Sequence, residues 1–336
     1  MSWREVFERD LTSVYRARTG TAVTALVGLF TVGATSLIAL THARVPMVAL
    51  VGSVAAGAAV VGLVFLGTPR LIGGALATYA CFSLVVVAAF PRTSAVNGPP
   101  TREMAVVGLG SALSLVLPLV AMLGTYAALV GERERGSVRF LYGLPNARDD
   151  VYLAKYLSRA AFVVVPLVAG LALSAVVATF TFEPGAALAL LGIAVVSVPY
   201  ALLFVGAGMT ASALGDSENQ TVALVVAILV AFRAAWPALQ WLSLQPLRDP
   251  HPRPEYYFWL GRLNPMNAYV KLTTAFVDGH VHHPLLTSPE GYGYEAPTST
   301  GLSLATSHEL ASVVVLAWTV VVPLVGLAYY RRRDLL

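Results

Sequence analysis

Residues 186–213 have the sequence AALALLGIAVVSVPYALLFVGAGMTASA, which contains no charged side chain. This length and composition are typical of a transmembrane helix, because about 20 apolar residues in helical conformation cross the hydrocarbon core of a bilayer. In lipid the backbone must satisfy its own hydrogen bonds, so repeated apolar runs of this length predict helices. The short alternating segments expected of a β-barrel are absent from the sequence.

Similar runs recur along the chain and predict about eight membrane spans. The 336 residues are 57% hydrophobic and 12% charged, whereas soluble domains carry about 25% charged residues. The predicted spans are 21–40, 45–66, 71–90, 104–130, 160–180, 186–213, 220–242 and 310–330. We therefore predict an all-α, polytopic membrane protein in which residues 1–336 form a single transmembrane domain.

The residues before the first span, 2–18, show the pattern of an amphipathic helix. Its apolar residues recur at helical spacing on one face: Trp3, Val6, Phe7, Leu11, Val14 and Tyr15. Low net hydrophobicity with a distinct apolar stripe favours a helix at the membrane surface. A soluble helix packed on a partner would show the same pattern. A secretory signal peptide is not expected, because these residues are too polar and the following apolar run is too long.

The distribution of Lys and Arg predicts the orientation. With the N-terminus in the cytoplasm, most of the 22 basic residues fall on the cytoplasmic side, as the positive-inside rule requires. They are Arg4, Arg9, Arg16, Arg18, Arg70, Arg133, Arg135, Arg139, Arg148, Lys155, Arg159, Arg331, Arg332 and Arg333. We therefore expect a multi-pass protein of the cytoplasmic membrane with both termini in the cytoplasm, and we attribute the net charge of +4 to this asymmetry rather than to nucleic-acid binding.

This topology divides the chain into segments of different character. The first four spans occupy 21–130, spans five to seven occupy 160–242, and the last span with a basic tail occupies 310–336. The remaining segments are cytoplasmic, 131–159, and external, 243–309. Within the external segment, residues 269–277 form a short amphipathic stretch that predicts a helix lying at the outer surface.

The cytoplasmic segment begins GERERGSVRFLYGLP over residues 131–145. Gly131 can end the fourth span, and Pro145 with Asn146 breaks the chain again. Between them, charged residues followed by apolar ones predict a short helix near 132–142, too short and too polar to span a membrane. Its apolar face indicates docking into a groove on a partner.

This segment resembles the ABC-2 type permeases, including the subgroup found with nitrous-oxide reductase maturation. The family pattern has Thr where Ser137 stands and Gly where Ala154 stands. Residues 331–335 also resemble a common C-terminal ending of this family, and residues 263–269 resemble its stretch before the last helix. Such permeases usually have two spans before the motif, whereas four are predicted here, and the extra hairpin, about 45–90, has no role that the sequence indicates.

The resemblance implies a coupling helix that sits in a cleft of a separate ATPase subunit. It also implies export and a second permease subunit, in a homodimer or a heterodimer. The residues that the motif places at the ATPase subunit are Glu132, Arg133, Glu134, Gly136, Ser137, Leu141, Leu144, Pro145, Arg148 and Lys155. The alternative is a basic loop that only follows the positive-inside rule.

The sequence offers no place for ATP. A phosphate-binding loop requires Gly-x-x-x-x-Gly-Lys-Ser/Thr. The two lysines of the chain, Lys155 and Lys271, follow Ala154 and Val270, so neither fits. We expect this chain to bind no cofactor and to have no ATPase activity, with ATP and Mg²⁺ on the partner ATPase subunit.

Other polar residues are candidates for further sites. Arg233 interrupts the seventh span, where it is either a pathway residue or a side chain that reaches the interface beside Trp236. The external loop holds imidazole and carboxylate groups that suit a transition metal, although exposed loop histidines are usually only solvated: Asp278, His280, His282 and His283. The single cysteine, Cys81, cannot form an internal disulfide.

Two other classes of function remain open. The architecture could drive the assembly or maturation of an extracytoplasmic protein, since the external loop is large. A membrane-embedded, lipid-modifying enzyme would need a carboxylate pair, for which Asp149 and Asp150 are the cytoplasmic candidates. Acidic residues at the start of a helix also stabilise its N-terminus without any catalytic role.

Overall fold

The computed structural model describes residues 3–16, 27, 30–35, 38, 100–134, 148–247, 254–277 and 304–332. Every regular element in these ranges is helical. The helices are α1 (Trp3–Arg16), α2 (Arg102–Leu123), α3 (Ala127–Glu134), α4 (Arg148–Thr181), α5 (Ala186–Leu214), α6 (Glu218–Val230), α7 (Trp236–Leu242), α8 (Glu255–Leu263), α9 (Pro265–Thr273) and α10 (His308–Arg332). A π-helical segment, Ala231–Ala235, joins α6 to α7, and a 3₁₀ turn, Thr274–Phe276, follows α9.

Five helical segments in the described ranges are long and apolar enough to cross a membrane: Arg102–Glu134, Arg148–Thr181, Ala186–Leu214, Glu218–Leu242 and His308–Arg332. They correspond to the predicted spans four to eight and indicate a multi-pass membrane protein. α4 begins at Arg148, well before the predicted start of its span at 160. The predicted spans 45–66 and 71–90 lie outside the described residues, as does most of 21–40, whose described residues are helical.

α5 is the central helix of the bundle, in contact with α2, α3, α4, α6, α9 and α10. Glycines allow this close packing. A Cβ at Gly206 would lie 2.9 Å from Cδ of Pro323 on α10, and a Cβ at Gly208 would lie 3.0 Å from Cα of Met122 on α2. Membrane helices approach one another most closely at small residues, so these glycines set the distance between α5 and its neighbours.

The outer helices present apolar side chains away from the bundle. In the most apolar stretch of Glu218–Leu242 only 6% of the residues are buried, and in that stretch of His308–Arg332 only 28% are buried. Val313, Leu316, Val320 and Leu324 of α10 are all exposed. Such large apolar surfaces are costly in water and are typical of helices that face lipid.

Helices α8 and α9 form a hairpin that packs into the bundle. Residues 269–277 were predicted to lie at the outer surface; Tyr269 and Val270 are buried against the bundle, and the position of this stretch relative to a membrane stays a prediction. The Tyr269 ring stacks on Tyr200 of α5 with ring centroids 4.0 Å apart, and its hydroxyl lies 2.7 Å from Ser197 Oγ. Helical periodicity alone does not distinguish an apolar face on lipid from one on protein.

The hairpin is fixed to the π-helical segment by Asn264. Its Nδ2 donates to the carbonyl of Phe232 at 2.7 Å, while its Oδ1 accepts from the backbone N–H of Met266 at 2.9 Å and caps α9. Trp236 Nε1 also donates to the carbonyl of Leu260 at 2.8 Å. A π segment interrupts the regular hydrogen bonding of a helix, and here the hairpin contacts the span at that interruption.

A buried arginine ties the same hairpin to the residues before α10. Arg262 is 1% exposed, and its Nε and Nη1 donate to the carbonyls of Ala305 and Asn267 at 2.9 and 3.3 Å. Burial lowers the pKa of Arg262 to about 10, so the guanidinium remains charged at neutral pH.

Candidate functional site

Five helix ends meet at one end of the bundle, which we call the basic end. They are the C-termini of α3, α5 and α10 and the N-termini of α4 and α6. The predicted cytoplasmic segment, 131–159, enters this end through α3 and leaves it through α4. Its described residues therefore lie at one place in the fold.

The last turn of α3 is fastened to the end of α5. Ser212 Oγ accepts from the backbone N–H groups of Leu129 and Val130, both at 3.0 Å. Arg133 Nη2 donates to the carbonyls of Ser212 and Gly215, both at 2.7 Å. The carbonyls at the C-terminus of a helix carry partial negative charge, so a guanidinium at this position is favourable.

These contacts explain why α3 continues past Gly131. The predicted end of the helix at Gly131 is wrong, since α3 runs to Glu134 and Gly131 is buried within it. Glu134 Oε1 accepts from the backbone N–H of Glu218 at 2.9 Å, at the first turn of α6. A carboxylate is favourable at a helix N-terminus, and it adds a contact that holds the last turn of α3 in place.

Lys155 lies in the interior of the basic end with two carboxylates around it. Its side chain is 1% exposed, and Nζ lies 2.7 Å from Oε1 of Glu132 and 3.2 Å from Oδ1 of Asp10. Removing an ammonium group from water is costly unless it is paired. The two carboxylates come from α3 and α1, so one cation on α4 joins three helices.

Asp10 is the second buried charge of this group. Its Oδ2 accepts a short hydrogen bond from Ser158 Oγ and lies 3.2 Å from Arg159 Nε, and the carboxylate is 6% exposed. Burial raises the pKa of Asp10, but the charges of Lys155 and Arg159 and the Ser158 hydrogen bond outweigh it and hold the pKa below its usual value. Asp10 is therefore ionised at neutral pH.

Arg159 extends the same network to the turn between α2 and α3. Its Nη1 donates to the carbonyl of Gly124 at 3.2 Å, and its Nη2 lies 3.4 Å from Asp10 Oδ1. We call the group of side chains on α1, α3 and α4 the Asp10 cluster: Asp10, Glu132, Lys155, Ser158 and Arg159. It contains two carboxylates and two cations, so its formal charge is zero.

The start of α4 is also bound to the end of α10. Arg148 Nη1 donates to the carbonyl of Arg331 at 2.9 Å, and Arg331 Nε donates to Oδ1 of Asp149 at 2.6 Å. Both side chains of the Asp149–Arg331 pair are exposed to solvent, so the pair contributes little to stability. The geometry gives the basic end a second link, between α4 and α10.

A family model described as ABC-2 family transporter protein matches residues 6–335, nearly the whole chain. The chain belongs to the ABC-2 transporter family. This confirms the resemblance carried by residues 131–159. It also identifies the protein as the membrane subunit of an ABC transporter.

Two curated relatives support the same assignment for this ABC-2 chain. It is 24% identical over 233 residues to the probable ABC transporter permease protein NosY of Stutzerimonas stutzeri, covering 68% of this chain and 80% of the relative. It is 28% identical over 178 residues to the protein of the same description in Pseudomonas aeruginosa, covering 49% of this chain and 61% of the relative.

Not all candidate residues of the ABC-2 chain fall in the described ranges. Glu132, Arg133, Glu134, Arg148 and Lys155 meet at the basic end, as the preceding contacts show. Gly136, Ser137, Leu141, Leu144 and Pro145 lie outside the described residues, as do Asp278, His280, His282 and His283. In the part of the chain that the structure describes, no three His, Cys, Asp or Glu side chains form a group suited to a metal ion.

Arg233 lies in the π-helical segment Ala231–Ala235 of the ABC-2 chain, with its side chain half-buried. The neighbouring Ala231, Ala234 and Ala235 are exposed. Arg233 therefore stands on an outer span rather than among the helices around α5. Its role as a pathway residue stays a prediction.

Asp10, Ser158 and Arg159 are the functional candidates that the sequence interpretation missed. The signal lay in the apolar stripe of α1, where Asp10 stands at helical spacing between Val6 and Val14. Asp10 and Ser158 are buried, and Arg159 is half-buried. A carboxylate within an apolar stripe requires a buried partner, and a cation on another helix is the expected one.

Proposed function

We propose that the permease couples ATP hydrolysis by a separate ATPase subunit to the export of a substrate across the cytoplasmic membrane. In this proposal two permease subunits pair with two ATPase subunits, which bind ATP and Mg²⁺. The observation that supports coupling most directly is the contact between Glu132 and Lys155, 2.7 Å apart. This contact joins α3, which precedes residues 135–147, to α4, which follows them.

A segment that transmits force needs firm attachment at both ends. On the α3 side, Arg133 and Glu134 bind the ends of α5 and α6. On the α4 side, Lys155 binds α1 and α3, and Arg148 binds α10. A displacement of residues 135–147 would therefore move several spans together instead of only bending a loop.

Residues 135–147 are the part that we propose docks into the ATPase subunit. Leu141 and Leu144 would supply the apolar contact, and neighbouring charges would set the register, as interfaces generally combine apolar anchors with complementary charge. The basic end then faces the cytoplasm, with both termini on that side, in agreement with the positive-inside rule.

The test separates docking from transmission. The permease would be co-expressed with a candidate ATPase subunit, purified in detergent and assayed for bound ATPase and for ATP turnover. Leu141→Ala with Leu144→Ala should reduce the amount of bound ATPase. Glu132→Gln should leave ATPase bound but reduce permease-dependent turnover, since it acts at the base of the segment.

The matched control is Leu188→Ala with Leu191→Ala. These exposed leucines are at the start of α5, at the opposite end of the bundle, and their removal should change neither quantity. The proposal is rejected if no ATPase subunit co-purifies with the wild type, or if the Leu141 and Leu144 double variant binds it as well as the control does.

A further inference from the structure

We propose that α1 is a moving part of the coupling machinery and that Asp10 is the positioning residue that attaches it. The inference rests on the proposed function, because it concerns how force from residues 135–147 spreads through the permease. A helix that merely anchored the chain at the membrane surface would need only its apolar stripe. α1 also has a buried carboxylate, that of Asp10, which accepts hydrogen bonds from side chains of α4.

Two kinds of contact hold α1 against the first turns of α4. Asp10 accepts hydrogen bonds from Lys155, Ser158 and Arg159. Next to Lys155 and about one turn further toward the N-terminus of α4, Ala154 and Val151 form a buried apolar cluster with Val6. Polar and apolar contacts on one face leave α1 little freedom to slide along α4.

The same ammonium group connects α1 to α3. Lys155 Nζ contacts both Asp10 and Glu132, and its side chain is 1% exposed, so water has little access to replace a lost partner. Separating either carboxylate from Lys155 would leave a poorly solvated charge. We infer that α1, α3 and the start of α4 move as one unit.

Movement of α1 would also reach the main apolar core, because Val14 of α1 is buried in it. Val27, Phe30, Ala34 and Ile38 are buried in the main apolar core. Ile38 packs so closely on α2 that a Cβ at Gly108 would lie 2.6 Å from Ile38 Cδ1. The described residues 27–38 thus pack on α2, in the same apolar core that holds Val14 of α1.

The experiment compares a single with a double substitution in the permease–ATPase complex reconstituted in liposomes. Asp10→Asn leaves one excess buried positive charge, so both complex recovery and ATP turnover should fall. Adding Lys155→Met makes the cluster neutral again. We expect the double variant to recover assembly and thermal stability, while permease-dependent turnover stays about tenfold below wild type, a typical size for coupling between sites.

A purely structural role makes a different prediction for the double variant. If Asp10 only neutralises Lys155, removing both charges restores turnover together with stability, and the inference is overturned. Glu8→Gln is the matched control, because it is an acid-to-amide change at an exposed position of the same helix, and it should alter neither readout.

A second variant keeps the test valid if the double variant fails to assemble. Ser158→Ala removes one hydrogen bond to Asp10 and no charge, so we expect assembly to be unchanged and turnover to fall about threefold. Unchanged turnover in Ser158→Ala would overturn the inference. Absence of bound ATPase in the wild type would instead reject the proposed function, and this outcome is recognised before any variant is assayed.

Discussion

Glu132 and Lys155 flank residues 135–147 in the sequence, and Glu132 Oε1 lies 2.7 Å from Lys155 Nζ. Lys155 is 1% exposed and Glu132 is 23% exposed, so the pair lies where the buried basic end meets solvent. Because the cation also contacts Asp10, its loss should affect the fold more than the loss of an ordinary surface charge.

Lys155→Met should lower the free energy of unfolding by about 3–5 kcal/mol, because it leaves the buried Asp10 with a weaker counter-charge. Arg4→Gln, which removes an exposed cation from α1, should change it by less than about 0.5 kcal/mol. Denaturant titration of the purified permease in detergent measures both. Equal effects of the two substitutions would contradict the assignment of Lys155 to a buried cluster.

The lowered pKa of Asp10 should make the stability of the permease depend on pH in the acid range. Its pKa is lower in the folded protein than its usual value near 3.8, so its contribution is complete above that value and is lost as the pH falls through the lower, folded-state pKa. Unfolding measured between about pH 2 and 6 should therefore show an acid-dependent loss of stability. The loss should be smaller in Asp10→Asn, which has no carboxylate at this position; identical pH profiles would disprove the link.

Gly206→Ala should disturb the contact between α5 and α10. The added Cβ would lie 2.9 Å from Pro323 Cδ, and relieving such overpacking costs about 1–3 kcal/mol. Gly33→Ala is the matched control, since a Cβ there meets nothing within 4 Å among the residues that the structure describes and a helical glycine is replaced by a better helix former. Thermal unfolding should rank Gly206→Ala well below Gly33→Ala.

Two substitutions at Asn264 separate its two hydrogen bonds. Asn264→Asp keeps an acceptor for the Met266 N–H but removes the donor to the Phe232 carbonyl, whereas Asn264→Ala removes both. Ala loses two bonds of about 1 kcal/mol each, whereas Asp places a buried carboxylate oxygen against the Phe232 carbonyl oxygen, so Asp should destabilise more than Ala. Hydrogen exchange at 231–235 should increase in both, and unchanged exchange there would mean that the hairpin does not hold the π segment.

The spans were predictable from the sequence because membrane helices have a length requirement that apolar runs reveal directly. The position of α9 was not, since Tyr269 would be equally suited to a lipid surface and to the stacking that it makes on Tyr200. Likewise, Gly131 carries an ordinary stop signal, and only the contacts of Arg133 and Glu134 with α5 and α6 explain the extra turn.

The candidate site was predictable in part, for a similar reason. The motif gave Glu132 and Lys155 but no indication that they form an ion pair with each other. Asp10 lies far from both in the chain, and its role depends on how α1 crosses α4. The only sign of such a long-range ion pair in the sequence is a charged residue within an apolar stripe.

The neutrality of the Asp10 cluster has a consequence for energetics in a living cell. Moving one net charge across a membrane potential of 100 mV changes the free energy by about 2.3 kcal/mol. The two carboxylates and two cations of the cluster carry no net charge when they move as a unit. We therefore expect the movement of this cluster to add no voltage dependence to the work that the permease does.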